Sequence, residues 1–177
     1  TVGEGVHATA ELISKECGVI AGIGVAERVF DIVDKHVKRN WNLTDGSKVR
    51  QGDIIGTMEG PARSVLAAER LMLNFMQRMS GVATLTSKMA DKLSGTKARL
   101  LDTRKTVPGL RVLDKWAVQL GGGECHRMGL YDMMLIKDNH IAASGGIADA
   151  LQGADQFQNQ RNLTIPIEIE VESLKQV

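Results

Sequence analysis

Read from the N-terminus, the apolar positions of this chain change their spacing several times. Residues 8 to 24, ATAELISKECGVIAGIG, are short apolar runs broken by glycine, which predicts strands. VAERVFDIVDKHV (25 to 37) places Val25, Val29, Ile32, Val33 and Val37 at helical spacing. GSKVRQGDIIGTMEGPA (46 to 62) reads as strand, turn and strand, with glycine at each break. AAERLMLNFMQRMSGVATLTSKMADKL (67 to 93) is long, methionine-rich and free of proline, so it predicts helix, with a break near Ser80-Gly81. The methionines are expected to fill the core.

Beyond residue 96 the rhythm becomes regular. ARLLDT (98 to 103) predicts a buried strand and LRVLDKWAVQL (110 to 120) a helix. DMMLIK (132 to 137) predicts a strand, GGIADALQGADQF (145 to 157) a helix and IPIEIEV (165 to 171) a strand, and SLKQV is expected to open another helix. Strands alternating with helices predict parallel βαβ units. The expected organisation is therefore a small α+β layer with helices over 1–96, followed by parallel βαβ units over 97–177. No internal repeat or low-complexity segment interrupts it. Each predicted barrel strand reaches a polar group at its C-terminal end: Arg104 and Lys105, then Lys137, then Glu170. In an α/β barrel that edge carries the active site.

Composition narrows the function classes. Lys+Arg total 22 against 21 Asp+Glu, so the chain lacks the cationic excess of a nucleic-acid or membrane-surface binder. No apolar run approaches the ~20 residues of a membrane span. The two cysteines, Cys17 and Cys125, fit neither a CxxC site nor a disulfide framework and suit an intracellular protein with reduced thiols. No targeting segment is visible, but the chain begins without Met and stops at Lys175-Gln176-Val177, which reads as an internal fragment. The expected compartment is the cytoplasm, with an organelle as the other option.

Against that neutral background the local charge is uneven. TRKTVPGLR (103 to 111) sends two adjacent cations off a strand before Pro108-Gly109 turns the chain into a helix. Arg104 offers a planar fork suited to a carboxylate, and Lys105 a compact charge suited to phosphate. The bland alternative is a solvated basic turn. GGGECHRMGLYDMMLIKDNH (121 to 140) sets His126, Arg127, Lys137 and His140 among glycines and apolar residues. The three glycines allow a close backbone approach. Lys137, ending an apolar strand, must meet water or an anion. His126 alone could be a satisfied core histidine, and Asp138-Asn139-His140 plain turn chemistry. Together these cations predict a ligand with several negative charges. In IEIEVES (167 to 173), Glu168 and Glu170 share one strand face and could bind Mg²⁺, orient a ribose hydroxyl or stabilise developing positive charge. A structural salt bridge is the alternative. Arg70, within AERLMLNFMQRMSG, is either an ordinary exposed helix residue or one that reaches into an active site.

These residues together resemble the quinolinate phosphoribosyltransferase family. The resemblance runs from about residue 8 to the end and rests on GIGVAERVF, GDIIGTMEGPARSVLAAERLMLNFMQRMSGVAT, LDTRKTVPGLR, HRMGLYDMMLIKDNHI and IEIEVESL. It implies an N-terminal α/β sandwich and a C-terminal α/β barrel of the type II phosphoribosyltransferase kind, assembled as a homodimer. It also implies transfer of phosphoribose from phosphoribosyl pyrophosphate to quinolinate, with Mg²⁺ present and carbon dioxide lost, a step of de novo NAD synthesis. By the same resemblance, Arg104, His126 and Arg127 match positions that bind the two quinolinate carboxylates. Lys105 and Lys137 match positions lining the quinolinate and pyrophosphate sites, with a catalytic part. Arg70 matches an arginine that crosses into the neighbouring subunit's site. Glu170 matches the acidic residue near ribose and metal.

Cys125 departs from the family, which commonly has Asn before the histidine. The family's second acidic residue and its glycine-rich phosphate loops are expected beyond Val177, so an isolated fragment would leave barrel edges open. Four rival readings accompany this one. A relative could use nicotinate, and a molybdenum-associated paralogue of the fold could use another anion. Lys137 could form a Schiff base in a lyase. GSKVRQGDIIGTMEG resembles a lipoyl or biotinyl hammerhead turn, although Thr57, Met58 and Glu59 occupy the tip where a lysine is needed.

Overall fold

The computed structural model describes residues 2–177. The chain forms two compact units, one ending at Cys125 and the other spanning His126–Val177. In the first, β1 (His7–Ile13) alternates exposed and half-buried residues and pairs antiparallel with β5 (Ile54–Pro61), from His7 opposite Pro61 to Ile13 opposite Ile54. β3 (Lys38–Trp41) pairs with the other edge of β5, so β5 is central. Its Gly60 has no room for a side chain, because a Cβ there would stand 3.2 Å from the Val37 Cα. A second antiparallel pair joins β2 (Gly18–Val19) to β4 (Lys48–Val49).

Helix α1 (Ile23–Val33) buries Ile23, Ala26, Val29 and Phe30, a face with helical spacing. That face differs from the one expected in sequence: Ile32 is exposed, and Val37 is buried outside the helix. The reason is local. Asp34 is extended, and its carboxylate accepts from the His36 amide (2.9 Å), which ends the helix early. The Ser64 hydroxyl also donates to Asp34 (2.7 Å) and, with the His36 amide, holds that carboxyl below its ordinary pKa. At the other end Asp45 accepts from the amides of Gly22, Ile23 and Gly24, satisfying the orphan donors of α1.

Helix α2 (Ala62–Asp91) runs 30 residues without the expected break at Ser80-Gly81. The Ser80 hydroxyl bonds outward, accepting from the Ala21 amide (2.9 Å), so it leaves the helix ladder intact. Val65, Ala68, Met72 and Met76 of α2 join α1 and the sheet in one core cluster. Met79 and Ala83 join Val19, Ala21 and Ala117 in a second cluster, which seats α3 (Arg111–Leu120).

The expected strand over 98–103 is reduced to a parallel bridge between Leu101 and Glu124. Among the described residues its backbone finds only that one neighbour: the Glu124 amide donates to Leu100 and the Asp102 amide to Glu124. Leu101 is exposed rather than buried.

In the second unit β6 (Met134–Ile136) and β7 (Ile167–Ile169) pair in parallel, Ile136 opposite Ile169, and α5 (Ile147–Arg161) lies between them in sequence. This is the predicted βαβ unit. Asp138–Ser144 forms a short helix, α4, where turn chemistry was an open reading, because the His140 ring accepts from the Lys137 amide (2.9 Å) and steadies its first turn. The final SLKQV forms only a 3₁₀ turn, Leu174–Gln176.

Candidate active site

The basic segment 103–109 follows the Leu101 bridge in the first unit. Its turns are made locally: the Lys105 amide donates to the Thr103 hydroxyl (3.0 Å), and the Thr106 amide to the Arg104 carbonyl (2.9 Å). Arg111 Nε donates to the Thr106 hydroxyl (3.3 Å). Among the described residues no hydrogen bond or ion pair engages the side chain of Arg104 or Lys105, and Arg104 Nε is buried without a partner. A buried guanidinium nitrogen left unsatisfied is costly, and an anionic ligand with a planar acceptor edge would satisfy it.

Two ion pairs brace this segment from below. Lys115, 1% exposed, donates to both oxygens of Asp102 at 2.7 Å. Asp114 accepts from Arg78 Nε (3.0 Å), Arg78 Nη2 (2.9 Å) and the Val107 amide (3.0 Å). Sequence reasoning treated α3 only as a helix. The signal was present in LDKWAV, where an acid and a base stand side by side within a short apolar helix. Cys125 lies against the same pair, its Sγ 3.7 Å from the Lys115 carbonyl. Burial pushes its thiol pKa up, and the Asp102 charge adds to that.

Two of the three glycines, Gly121 and Gly123, make the close approach predicted for them, and Gly122 does not. A Cβ on Gly121 would fall 2.3 Å from the Ala83 carbonyl oxygen of α2, and Gly122 has φ of +87°.

In the second unit His126 and Lys137 sit with carboxylates. His126 Nε2 is 2.9 Å from Glu168, and Lys137 Nζ donates to Glu170 at 2.7 Å. Glu168 lies within β7, and Glu170 stands one residue past its end. The parallel register puts Lys137 and Glu170 just past Ile136 and Ile169, at the C-terminal ends of β6 and β7. Arg127 is buried and donates to the Met133 carbonyl (3.3 Å) at the entry to β6. Arg70 is exposed on α2 in the first unit. Thus Arg104 and Lys105 belong to the first unit, and His126, Arg127, Lys137 and Glu170 to the second. Among the described residues no three His, Cys, Asp or Glu stand together as a metal cage, and no helix is long and apolar enough to cross a membrane.

An N-terminal α/β sandwich leading into part of an α/β barrel, with basic groups at its strand ends, defines the type II phosphoribosyltransferase-like fold. Two family models match the chain, the quinolinate phosphoribosyl transferase N-terminal domain over residues 1–80 and C-terminal domain over 82–177. The chain belongs to the quinolinate phosphoribosyltransferase family.

Similar proteins agree. The chain is 49% identical over 177 residues to quinolinate phosphoribosyltransferase [decarboxylating] 1b of Nicotiana tabacum, covering 100% of this chain and 50% of that one. It is 44% identical to nicotinate-nucleotide pyrophosphorylase [carboxylating] of Mycobacterium leprae, covering 62% of that protein. Among solved structures, NadC of Streptococcus pyogenes superposes with a TM-score of 0.90 at 39% identity, over 96% of this chain and 60% of that one. The nicotinate-nucleotide pyrophosphorylase of Francisella tularensis gives 0.90 at 42% identity, over 98% and 60%. The chain spans about half the length of the curated plant relatives it matches.

Proposed function

We propose that the protein containing this chain transfers phosphoribose from phosphoribosyl pyrophosphate to quinolinate and releases pyrophosphate and carbon dioxide, giving nicotinate mononucleotide. The observation that carries this reading is Arg104, a half-buried arginine with a partnerless buried Nε three residues past the Leu101 bridge, in a chain that both family domains match in order. In the reaction the pyridine nitrogen lone pair attacks C1 of the ribose. The C1–oxygen bond breaks and its electrons leave with pyrophosphate. The ring nitrogen is then cationic, so the electrons of the adjacent carbon–carboxylate bond are held beside it as carbon dioxide departs and a proton takes its place.

Arg104, His126 and Arg127 are assigned to the two carboxylates, Lys105 and Lys137 to the quinolinate and pyrophosphate groups. His126 and Lys137 already hold carboxylates, Glu168 and Glu170, which supports their fitness for anions. Lys105 and Lys137, both exposed, would offset the charge that develops on the leaving pyrophosphate. Glu170 is assigned to the ribose, where its charge favours an oxocarbenium-like carbon.

Mg²⁺ fits this donor set in one way. It keeps several waters and binds through one or two carboxylates plus substrate phosphates, so a single carboxylate, Glu170, is enough if the ion arrives on phosphoribosyl pyrophosphate. When bound it would neutralise phosphate charge. The protein is proposed to act as a homodimer, with exposed Arg70 entering the neighbouring site. Its proposed compartment is the cytoplasm or an organelle, and similar proteins include forms named mitochondrial and chloroplastic. The Schiff-base reading is less favoured, because Lys137 Nζ is engaged by Glu170 at 2.7 Å.

The test is turnover by the full-length protein with phosphoribosyl pyrophosphate and Mg²⁺, offering quinolinate or nicotinate. Nicotinate mononucleotide and carbon dioxide from quinolinate alone is the expected result. Activity with nicotinate alone would reassign the substrate, and near-normal kcat in Arg104→Ala or Lys137→Ala would overturn the roles.

A further inference from the structure

Asp114 and Lys115 are neighbours in α3, carry opposite charges and are both buried. Neither belongs to the candidate site, yet each grips one end of the segment that bears Arg104 and Lys105. Lys115 holds the entry, donating to both Asp102 oxygens at 2.7 Å two residues before Arg104. Asp114 holds the exit, accepting the Val107 amide at 3.0 Å two residues after Lys105. Asp114 is itself anchored to α2 by the two-pronged contact from Arg78.

Between these fixed points the cations themselves are unengaged. Among the described residues the side chains of Arg104 and Lys105 have no hydrogen-bonding or ion-pair partner, and Arg104 Nε is buried. The loop's own turn bonds, at the Thr103 hydroxyl and the Arg104 carbonyl, engage neither side chain. The alternative to bracing is a loop that swings them into water, where they are better solvated. A bidentate guanidinium–carboxylate contact also depends on the plane of the fork, so small changes in loop position cost binding.

We propose that Asp114 and Arg78 are positioning residues for Arg104, holding its guanidinium plane for a carboxylate ligand, with Lys115 and Asp102 fixing the other end of the loop. This rests on the functional reading above, in which that carboxylate belongs to quinolinate. The arrangement divides the labour. The Asp102–Lys115 pair is sealed from water, so breaking it threatens the fold. The Arg78–Asp114 end is more accessible, Arg78 keeping 37% of its side-chain exposure, so it can be altered while the chain remains folded.

The experiment uses the full-length enzyme with Asp114→Asn, Arg78→Lys and the double variant. KM for quinolinate, kcat and melting temperature are measured for each, with quinolinate affinity also measured by calorimetry. Asparagine keeps the shape of Asp114 but loses its charge and one acceptor, and lysine loses the fork. The expected result is a quinolinate KM and Kd raised about ten- to a hundredfold by each single change. The double variant should be no worse than the poorer single one, since both break one link. A purely structural role would lower the melting temperature and the fraction of active enzyme while leaving KM unchanged. Unshifted KM and Kd in either folded variant would overturn the proposal. If Asp114→Asn does not fold, Arg78→Lys alone decides. Wild-type enzyme without quinolinate turnover would overturn the functional reading, whereas wild-type turnover with unshifted variants would overturn this inference alone.

Discussion

Cys125 stands where four influences meet: burial, the Asp102 charge, the Lys115 charge and the Lys115 carbonyl. Burial and Asp102 raise its pKa and outweigh the lysine. Less thiolate then exists at neutral pH, and thiolate is the reactive form. A thiol reagent at pH 7.5 should therefore label exposed Cys17 first, with Cys125 following only as pH rises through its raised value; peptide mass spectrometry would show the order. The linkage sign is the same. A thiol with a raised folded pKa leaves stability untouched below its unfolded value, about 8.5, and weakens the fold as pH rises beyond it. Sequence reading found Cys125 out of place before His126 but could not see what it touched. Asp102, thirteen residues before Lys115 and twenty-three before Cys125, meets both only because the chain folds back.

At the scale of elements, α2 explains why one glycine is dispensable and another is not. Gly81 lies in the helix interior, exposed, and a Cβ there would meet nothing within 4 Å. Gly81→Ala should stabilise the full-length protein by about 0.5–1 kcal/mol in denaturant unfolding, by removing the entropy cost of glycine in a helix. Gly121 abuts the Ala83 carbonyl of the same helix, and backbone cannot yield as a side-chain tip can. Gly121→Ala should destabilise by about 1–3 kcal/mol in the same assay. The sequence showed Ser80-Gly81 as a break because serine and glycine are weak helix formers. Packing of Met76, Met79 and Ala83 on either side overrides that weakness. The strand at 98–103 fails for the opposite reason: apolar residues alone do not make a strand without neighbours to satisfy the backbone on both sides.

For the whole molecule, the prediction concerns Arg70. It is exposed on α2, and its side chain has no hydrogen-bond or ion-pair partner among the described residues. If it serves a neighbouring subunit, Arg70→Ala and Arg104→Ala homodimers should each be nearly inactive, while mixing the two full-length chains should restore part of the activity. The restored fraction is read by product formation after subunit exchange. No recovery would confine Arg70 to its own subunit. The near-zero net charge of +1 makes this reading coherent, because anion binding must then come from local grouping and not from an overall field.

The β6–α5–β7 unit and the placing of Lys137 and Glu170 at the ends of its strands were legible in the sequence. They depend on local periodicity and on residue chemistry, which neighbours along the chain determine. The partners were not legible: His126 with Glu168, Lys115 with Asp102, Arg78 with Asp114. Each joins residues brought close by packing rather than by spacing, across 42, 13 and 36 positions. A charge reads the same in sequence whether it is solvated or sealed. Only the tertiary structure decides which basic groups already stand beside a carboxylate and which, like Arg104 Nε, have no partner among the described residues.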